Sequence, residues 1–186
     1  MIRALIFAAL TAPLAYASRG ALRRPRSHGF PRFFAWECML ALLLLVFAGF
    51  RQWFADPFSP RQIVSWVLLF GSLVPVAAGG LQLLRQGRPG AERPHDPTLF
   101  PFEKTTRLVT TGMYRWVRHP LYGSLLALTW GILLKRPTLL ALAPALAASA
   151  LLIATARAEE RENLAYFGEE YRAYLRTTRM FIPLLF

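Results

Sequence analysis

The chain of 186 residues has little charge and few residues that bind metals or form crosslinks. Charged side chains make up 17% of it, against about a quarter in soluble proteins, whereas 55% of the residues are hydrophobic. The single cysteine, Cys38, excludes an internal disulfide, and the three scattered histidines form no sequence-local zinc motif. The sequence contains no P-loop and no Gly-x-Gly-x-x-Gly, so the phosphate-cradling and Rossmann fingerprints are absent.

The charge that is present is mostly positive. Twenty-two Lys and Arg residues face 10 Asp and Glu, which gives a net charge of +12. A protein this basic binds either nucleic acid or an anionic membrane surface. Long apolar runs such as residues 39–50 and 139–153 favour the membrane, because a nucleic-acid binder has no need for them. We therefore expect the lipid bilayer, and no nucleic acid, as a partner.

Five segments are apolar over about the length that a helix needs to cross a bilayer, which is roughly 17 to 25 residues. They are residues 2–18, 33–50, 63–84, 120–134 and 138–156, the fourth being the shortest. Only Lys135, Arg136 and Pro137 separate the last two, so these segments should form a tight helical hairpin. Pro75 should kink the third. The sequence predicts an all-α integral membrane protein with five transmembrane helices.

The basic residues predict the orientation. With five spans, residues 19–32, residues 85–119 and the tail after 156 lie on one side and hold 17 of the 22 Lys and Arg residues. By the positive-inside rule this side is cytoplasmic, so the N-terminus is outside the inner (plasma) membrane and the C-terminus is inside. A cleavable signal peptide ending near Ala17 is the alternative, but it would place the basic loop 19–32 outside.

We expect two parts: three transmembrane helices in residues 1–84, and a catalytic half in residues 85–186. Glycines and prolines at the start of residues 85–119 predict an irregular segment there. In the tail, apolar side chains at spacings of three and four residues predict an amphipathic interfacial helix that continues from the fifth span. These side chains are Leu164, Phe167, Tyr171 and Tyr174.

Two polar clusters could hold chemistry. The first, residues 110–123, lies where the irregular segment becomes the fourth span, and Pro120 fits the first turn of that helix. The helix N-terminus should attract an anion beside Arg118 and His119. An interfacial belt of Tyr, Trp and Arg is the alternative interpretation.

The second cluster, residues 157–174, begins at the cytoplasmic end of the fifth span with the adjacent acids Glu159 and Glu160. These acids could form ordinary surface ion pairs, worth about half a kcal/mol each, or one of them could bind a cofactor. Hairpin topology brings the two clusters together, so we expect a cytoplasmic cofactor pocket formed by the last helices and their connecting loops.

Both clusters resemble the isoprenylcysteine carboxyl methyltransferase family, which belongs with the integral-membrane phospholipid methyltransferases. The resemblance covers roughly residues 99–186. The first block is Leu108 to Gly112, Tyr114 and Arg118 to Tyr122, and the second is Glu159, Glu160, Phe167 to Tyr171, Tyr174, Ile182 and Pro183. It implies a methyltransferase that uses S-adenosylmethionine without a Rossmann domain and acts on a lipidic or apolar acceptor.

The resemblance also implies a role for particular residues. The residues expected to bind the methyl donor are Thr106, Arg107, Leu108, Val109, Tyr114, Arg118, His119, Pro120, Leu121, Tyr122 and Glu159. A helix N-terminus suits the carboxylate of the donor, and aromatic faces suit its sulfonium. His119 and Glu160 are the candidates for taking a proton from the acceptor.

One position departs from the family pattern. Related enzymes have an arginine four residues before the glutamate that corresponds to Glu159, where it faces the acceptor carboxylate, but here this residue is Thr155. Thr155 and the nearby Arg157 are the candidates for binding the acceptor, although Arg157, two residues along the helix, lies about 200° around it from Thr155. A prenylcysteine carboxylate is therefore one acceptor among several, beside a lipidic amine or thiol.

Two other functions fit parts of the pattern. A nicotinamide-dependent membrane reductase of sterol-like substrates is similar around Arg118, His119 and Pro120, although such enzymes have about twice as many spans. A non-catalytic membrane subunit would use both clusters only as interfacial anchors. Glu37, about a turn inside the second span, either contributes to function or pairs with Arg32 or another arginine.

The charge asymmetry makes a testable prediction about topology. A reporter fused after Phe186 should be cytoplasmic, and a reporter inserted at Asp56 should be external, because these positions lie on the basic and the less basic side. Paired alkaline phosphatase and fluorescent protein fusions measure both positions. A cytoplasmic Asp56 would contradict the five-span arrangement.

Overall fold

The computed structural model describes residues 1–88 and 103–183. Within these ranges the chain is helical and has no strand beyond one isolated bridge, so the all-α prediction is confirmed. Short 3-10 turns lie at Phe50–Trp53 and Gly112–Arg115. The helices are α1 Ile2–Ala17, α2 Arg19–Leu22, α3 Gly29–Phe47, α4 Pro60–Gly71, α5 Leu73–Gln86, α6 Pro120–Lys135, α7 Leu139–Phe167 and α8 Glu169–Thr177. The predicted irregular segment falls partly on residues 89–102, outside the described residues.

Three helical segments are long and apolar enough to cross a membrane: Gly29–Phe47, Pro60–Gln86 and Leu139–Phe167. They coincide with the second, third and fifth predicted spans. Helices α1 and α6 lie at the first and fourth, but each has only 16 residues. Large apolar side chains are exposed along α1, α4 and α5, as expected of surfaces that face lipid. The count of five spans remains a prediction.

Two helices differ from the sequence prediction in their ends. The third predicted span is broken at Ser72 between α4 and α5, because Pro75 has no N–H to donate to Gly71, four residues earlier. The fifth continues as α7 to Phe167, where Gly168 ends it with φ +60°. The amphipathic segment is therefore divided between α7 and α8 and is not one continuous helix.

Helix α6 lies in the middle of the bundle and packs against α3, α4, α5 and α7, while α1 packs on α3. The α3–α7 contact is close because α7 presents a row of buried small residues at spacings of three and four. These include Ala141, Ala145, Ala148 and Ala156. The predicted α6–α7 hairpin turn is present, and the Thr138 side chain accepts a hydrogen bond from the N–H of Ala141 to cap α7.

The contact between α4 and α6 depends on a glycine. A Cβ atom at Gly131 would lie 2.9 Å from Leu69 Cγ and 3.2 Å from the Leu69 backbone nitrogen. The backbones of the two helices also meet a polar group there, because the Ser65 hydroxyl donates to the Gly131 carbonyl at 2.7 Å. Close approach therefore permits a buried hydrogen bond between the helices.

Replacing Gly131 by Ala should destabilise the fold by about 1–3 kcal/mol, because a helix backbone, and not only a side chain, must move. Thermal unfolding in detergent measures the effect. Gly80→Ala on α5 is the matched control, because nothing lies within 4 Å of a Cβ atom there. It should leave the midpoint unchanged or raise it, since alanine is the better helix former. Equal losses in both variants would contradict the proposed packing.

Candidate functional site

A cavity of mixed polar and apolar lining lies where the N-terminal ends of α3 and α6 meet the C-terminal part of α7, with α5 and α8 closing its sides. Its volume is about 200 Å³, several times the space of one water molecule. The lining combines three carboxylates, three arginines, a histidine, six aromatic rings and a set of aliphatic side chains. The cavity is therefore suited to a ligand that has both charged and apolar parts.

The structure brings most of the predicted donor-binding residues together in this cavity. The ones that line it are Arg107, Leu108, Val109, Tyr114, Arg118, His119, Pro120, Leu121, Tyr122 and Glu159. Four predicted residues do not line it: Thr106, Glu160, Thr155 and Arg157. Because α3 and α5 also contribute side chains, the proposed division after residue 84 does not separate the cavity from the first three spans.

The His119 turn is fixed by the tail that follows α8. The Arg118 and His119 N–H groups donate to the carbonyls of Arg179 and Met180 at 2.8 and 3.1 Å, and the Arg179 N–H donates to the Trp116 carbonyl at 3.1 Å. Tyr174 on α8 adds a hydrogen bond from its hydroxyl to the Tyr114 carbonyl at 2.6 Å. This tail therefore holds the residues that precede α6.

Arg118 joins the same turn to α7. Its Nε donates to Glu160 Oε1 at 2.6 Å, and its Nη1 donates to the Thr178 carbonyl. Glu160 Oε1 also lies 3.4 Å from His119 Nε2, but this ring nitrogen is buried and makes no hydrogen bond. Glu160 thus sits behind His119 as the counter-ion of Arg118, and His119 is the member of the predicted pair that faces the cavity.

Glu159 is the carboxylate in the cavity with the fewest partners. The Tyr122 hydroxyl hydrogen-bonds to it, and His119 Nδ1 lies 3.9 Å from its Oε2. Among the described residues no Lys or Arg forms an ion pair with it. A ligand that donates N–H or O–H groups, or carries positive charge, is the natural partner for this side chain.

Tyrosines form much of the aromatic lining of the cavity and remain neutral there. Burial raises the pKa of the Tyr114, Tyr171 and Tyr174 hydroxyls well above the usual value, and the negative charge of Glu159 adds to this for the first two. His119 stacks on Tyr122 with ring centroids 5.5 Å apart. The rings therefore offer neutral π-faces, which attract cations, and neutral phenol groups.

Gly112 sets the path of the chain into the cavity. Its φ of +56° favours glycine, and a Cβ atom there would overlap the Gln82 side chain. Gln82 on α5 in turn accepts a hydrogen bond from the Met113 N–H at 3.2 Å. This contact ties α5 to the turn that carries Tyr114.

Besides Glu160, three predicted residues lie outside the cavity, and local bonds and helix phase place them. The N–H of Thr106 donates to the Gly87 carbonyl and its hydroxyl to the Arg88 carbonyl, both at 2.9 Å. The Thr155 hydroxyl is buried and donates to the Leu151 carbonyl in its own helix. Arg157 is exposed, since it lies about 200° around α7 from Glu159. Thr155 and Arg157 are therefore poor candidates for acceptor contacts.

Sequence reasoning missed the contribution of α3. Arg32 and Trp36 line the cavity, and Arg32 forms an ion pair with Glu103, which also lines it. Glu162 and Asn163 add to the wall from α7. His28, Arg32 and Trp36 recur every four residues and so share one helix face. This spacing could have indicated that α3 contributes polar side chains to the site.

Glu37 does not pair with Arg32, contrary to one of the two alternatives considered. Its Oε2 accepts a hydrogen bond from the Thr11 hydroxyl on α1 at 2.6 Å. Five residues along a helix is about 140° around it, so Glu37 faces α1 while Arg32 faces the cavity. Glu37 therefore lies outside the site.

His28 carries charge behind the cavity wall. Burial alone would lower its pKa, but hydrogen bonds to Glu103 and Glu162, together with the negative charge of Glu159 and Glu103, outweigh that effect and raise the pKa to about 10. Burial alone would raise the pKa of the Glu103 carboxyl. The hydrogen bonds and positive charges of His28 and Arg32 outweigh burial and lower that pKa. Both groups are therefore charged at neutral pH.

The apolar helices indicate an integral membrane protein, and the cavity at their ends is its candidate functional site. The family model of the isoprenylcysteine carboxyl methyltransferase (ICMT) family matches residues 97–165. The match supports an isoprenylcysteine carboxyl methyltransferase-like family assignment, and with it a membrane methyltransferase, and it confirms the resemblance seen in the motifs. It spans the His119 turn and Glu159, but α8 and the tail lie beyond it. Neither the curated proteins nor the solved structures gave a match.

The charge on His28 predicts a loss of stability at high pH. A raised pKa means that the stabilising contribution is complete below the unfolded value of 6.5 and declines until the pH passes about 10. The thermal unfolding midpoint in detergent should therefore fall between pH 7 and pH 10. In His28→Gln, which lacks this titration, the fall should be smaller. The same pH dependence in both proteins would contradict the assignment of charge to His28.

Proposed function

We propose that the protein is an S-adenosylmethionine-dependent methyltransferase of the inner membrane that acts on a lipidic or apolar acceptor. The observation that supports this most strongly is that the His119 turn and Glu159, both within the family match, line the same cavity. In this proposal five spans place the N-terminus outside and the cavity at the cytoplasmic face, where the donor is available. The basic cytoplasmic loops support that orientation.

The residues of the cavity fit the chemical groups of the donor. No side chain caps the N-terminus of α6, so its N–H groups and positive dipole end suit a carboxylate. Glu159 suits an ammonium or ribose hydroxyls, since it has no Lys or Arg partner among the described residues. Neutral rings such as Tyr114 and Tyr171 suit a sulfonium. We propose that Arg107, Leu108, Val109 and Arg118 complete this pocket.

Methyl transfer requires chiefly binding and alignment from the chain. S-adenosylmethionine, when bound, supplies a methyl group that the sulfonium already activates. Holding two reactants in line contributes roughly 7–11 kcal/mol to catalysis, and the rigid turn from Trp116 to His119 provides such positioning. Aromatic and aliphatic side chains around the turn keep water from the reacting groups.

His119 is the proposed proton acceptor for an amine or thiol acceptor. It lines the cavity, and its Nδ1 is the ring nitrogen on the side of Glu159, which also lines the cavity. Glu159 and Glu160 lie 3.9 and 3.4 Å from its two ring nitrogens, so a carboxylate stands on each side of the ring. Glu160, whose charge Arg118 already holds, supports His119 and does not face the acceptor. Geometry of this kind is what a general base requires.

The acceptor should enter from the lipid. Trp36, Val76, Leu83 and Leu125 form an apolar part of the lining, and Val76 belongs to the exposed apolar surface of α5. Burying a chain there contributes about 0.8 kcal/mol per methylene. A prenylcysteine carboxylate remains one candidate. Thr155 offers it no positive charge, but Arg32 places a guanidinium in the cavity. Lipidic amines and thiols are the others.

Binding and substitution test the proposal together. Isothermal titration calorimetry in detergent should show S-adenosylmethionine binding, and reduced nicotinamide cofactor should not bind. Glu159→Gln keeps the size of the side chain but removes its charge, so donor affinity should fall about tenfold to a hundredfold. Binding of the nicotinamide cofactor alone would overturn the proposal in favour of a reductase.

Glu169→Gln on α8 is the matched control. Glu169 is exposed and pairs only with Arg172 among the described residues, one turn along its own helix. The substitution also removes one carboxylate charge, but far from the cavity lining. Donor affinity should change by less than about twofold, as for a surface ion pair. An equal loss in both variants would indicate a general effect of charge.

A further inference from the structure

His28 is a buried polar residue that touches the cavity wall from behind. It is fully enclosed, with 0% of its surface exposed, and it does not line the cavity. It lies at the N-terminus of α3, one turn before Arg32, which does line the cavity. A fully enclosed histidine outside the cavity acts on a ligand only through its neighbours.

Glu162 on α7 is the first of these neighbours, and His28 holds both of its oxygens. The His28 backbone N–H donates to Oε1 at 2.8 Å, and ring Nδ1 lies 2.6 Å from Oε2. The carboxylate also lies at the N-terminus of α3, where negative charge is favourable. Glu162 remains partly exposed to the cavity, with 29% of its side chain accessible. Its orientation is therefore set by two bonds from one residue.

The other ring nitrogen of His28 faces the second carboxylate of the wall. Nε2 lies 3.7 Å from Glu103 Oε2 and 3.3 Å from Arg32 Nη1, and Arg32 forms an ion pair with Glu103. One imidazole thus stands between two acids that belong to different parts of the chain, α7 and the segment after residue 102. No other described histidine contacts either acid.

We propose that His28 is a positioning residue for methyl-donor binding, which holds Glu162 and Glu103 in place on the cavity wall. The inference depends on the proposed function, since it assigns these acids to the N–H and O–H groups of the donor. Fixed carboxylates bind such donors more tightly than mobile ones, because the cost of ordering them is met within the folded chain. Without His28, Glu162 is free to turn toward solvent.

Three substitutions of His28 test the positioning role. The amide nitrogen of Asn can take the place of Nδ1, whereas that of Gln reaches toward Nε2, and Leu supplies neither. If the bond to Glu162 sets the affinity, His28→Leu and His28→Gln should weaken donor binding about tenfold, as the loss of an outer-shell partner does. His28→Asn should restore it to within about threefold. The dissociation constant for S-adenosylmethionine, from calorimetry, and the unfolding midpoint are both measured.

Gln62→Leu is the matched control for loss of a buried polar group. Gln62 is also 0% exposed, and it accepts a hydrogen bond from Lys135 Nζ at 2.8 Å, away from the cavity lining. This substitution should lower the unfolding midpoint without changing donor affinity. His28→Leu should raise the dissociation constant of S-adenosylmethionine about tenfold, a change that Gln62→Leu should not produce.

The outcomes separate this inference from the proposed function. If the original protein does not bind S-adenosylmethionine, the proposed function is wrong. If it binds, but His28→Leu binds equally well, the positioning role is wrong. If the losses of donor affinity in the Asn, Gln and Leu variants only follow their unfolding midpoints, His28 has a structural role only. This outcome would also overturn the inference.

Discussion

The site depends on the bonds that Arg118 makes at the end of the helical bundle. Its guanidinium joins the turn before α6 to Glu160 on α7 and to the Thr178 carbonyl after α8. A buried charge is tolerable only when its partners are fixed, so these bonds commit three parts of the chain to one arrangement. His119 and Glu159 then face the same cavity because their neighbours Arg118 and Glu160 are joined. The same ion pair balances the charge of Glu160 behind His119, and His119 faces the cavity.

Helix periodicity and motif spacing predicted much of this arrangement. Apolar length placed every predicted span on a helix, and Pro137 marked the α6–α7 turn. Hairpin topology predicted that the His119 turn and Glu159 would meet, because antiparallel helices joined by a short turn bring their far ends to one side. The same argument gave too long an interfacial helix, since the positive φ at Gly168 interrupts a pattern that hydrophobic spacing alone leaves unbroken.

The remaining parts of the site come from contacts that are distant in sequence. His28 and Glu162 are 134 residues apart, and Arg32 and Glu103 are 71 apart. No local pattern specifies which of the many arginines meets which of the few acids, because surface and cavity arginines look alike in a sequence. Thr155 illustrates the converse: its position relative to Glu159 is right for the cavity by helix phase, yet its short side chain bonds to its own helix.

The tail after α8 has a consequence for how the protein is made. The Arg118 guanidinium bonds to Thr178, which is synthesised 60 residues later. The N–H groups of Arg118 and His119 bond to the carbonyls of Arg179 and Met180, which follow Thr178 in the chain. Translation adds about 5–20 residues per second, so the turn exists for several seconds before its partners are synthesised. During that time α6 and α7 can already pair as a hairpin, whereas the cavity is incomplete. The cavity is therefore completed only after the helices that surround it have been synthesised.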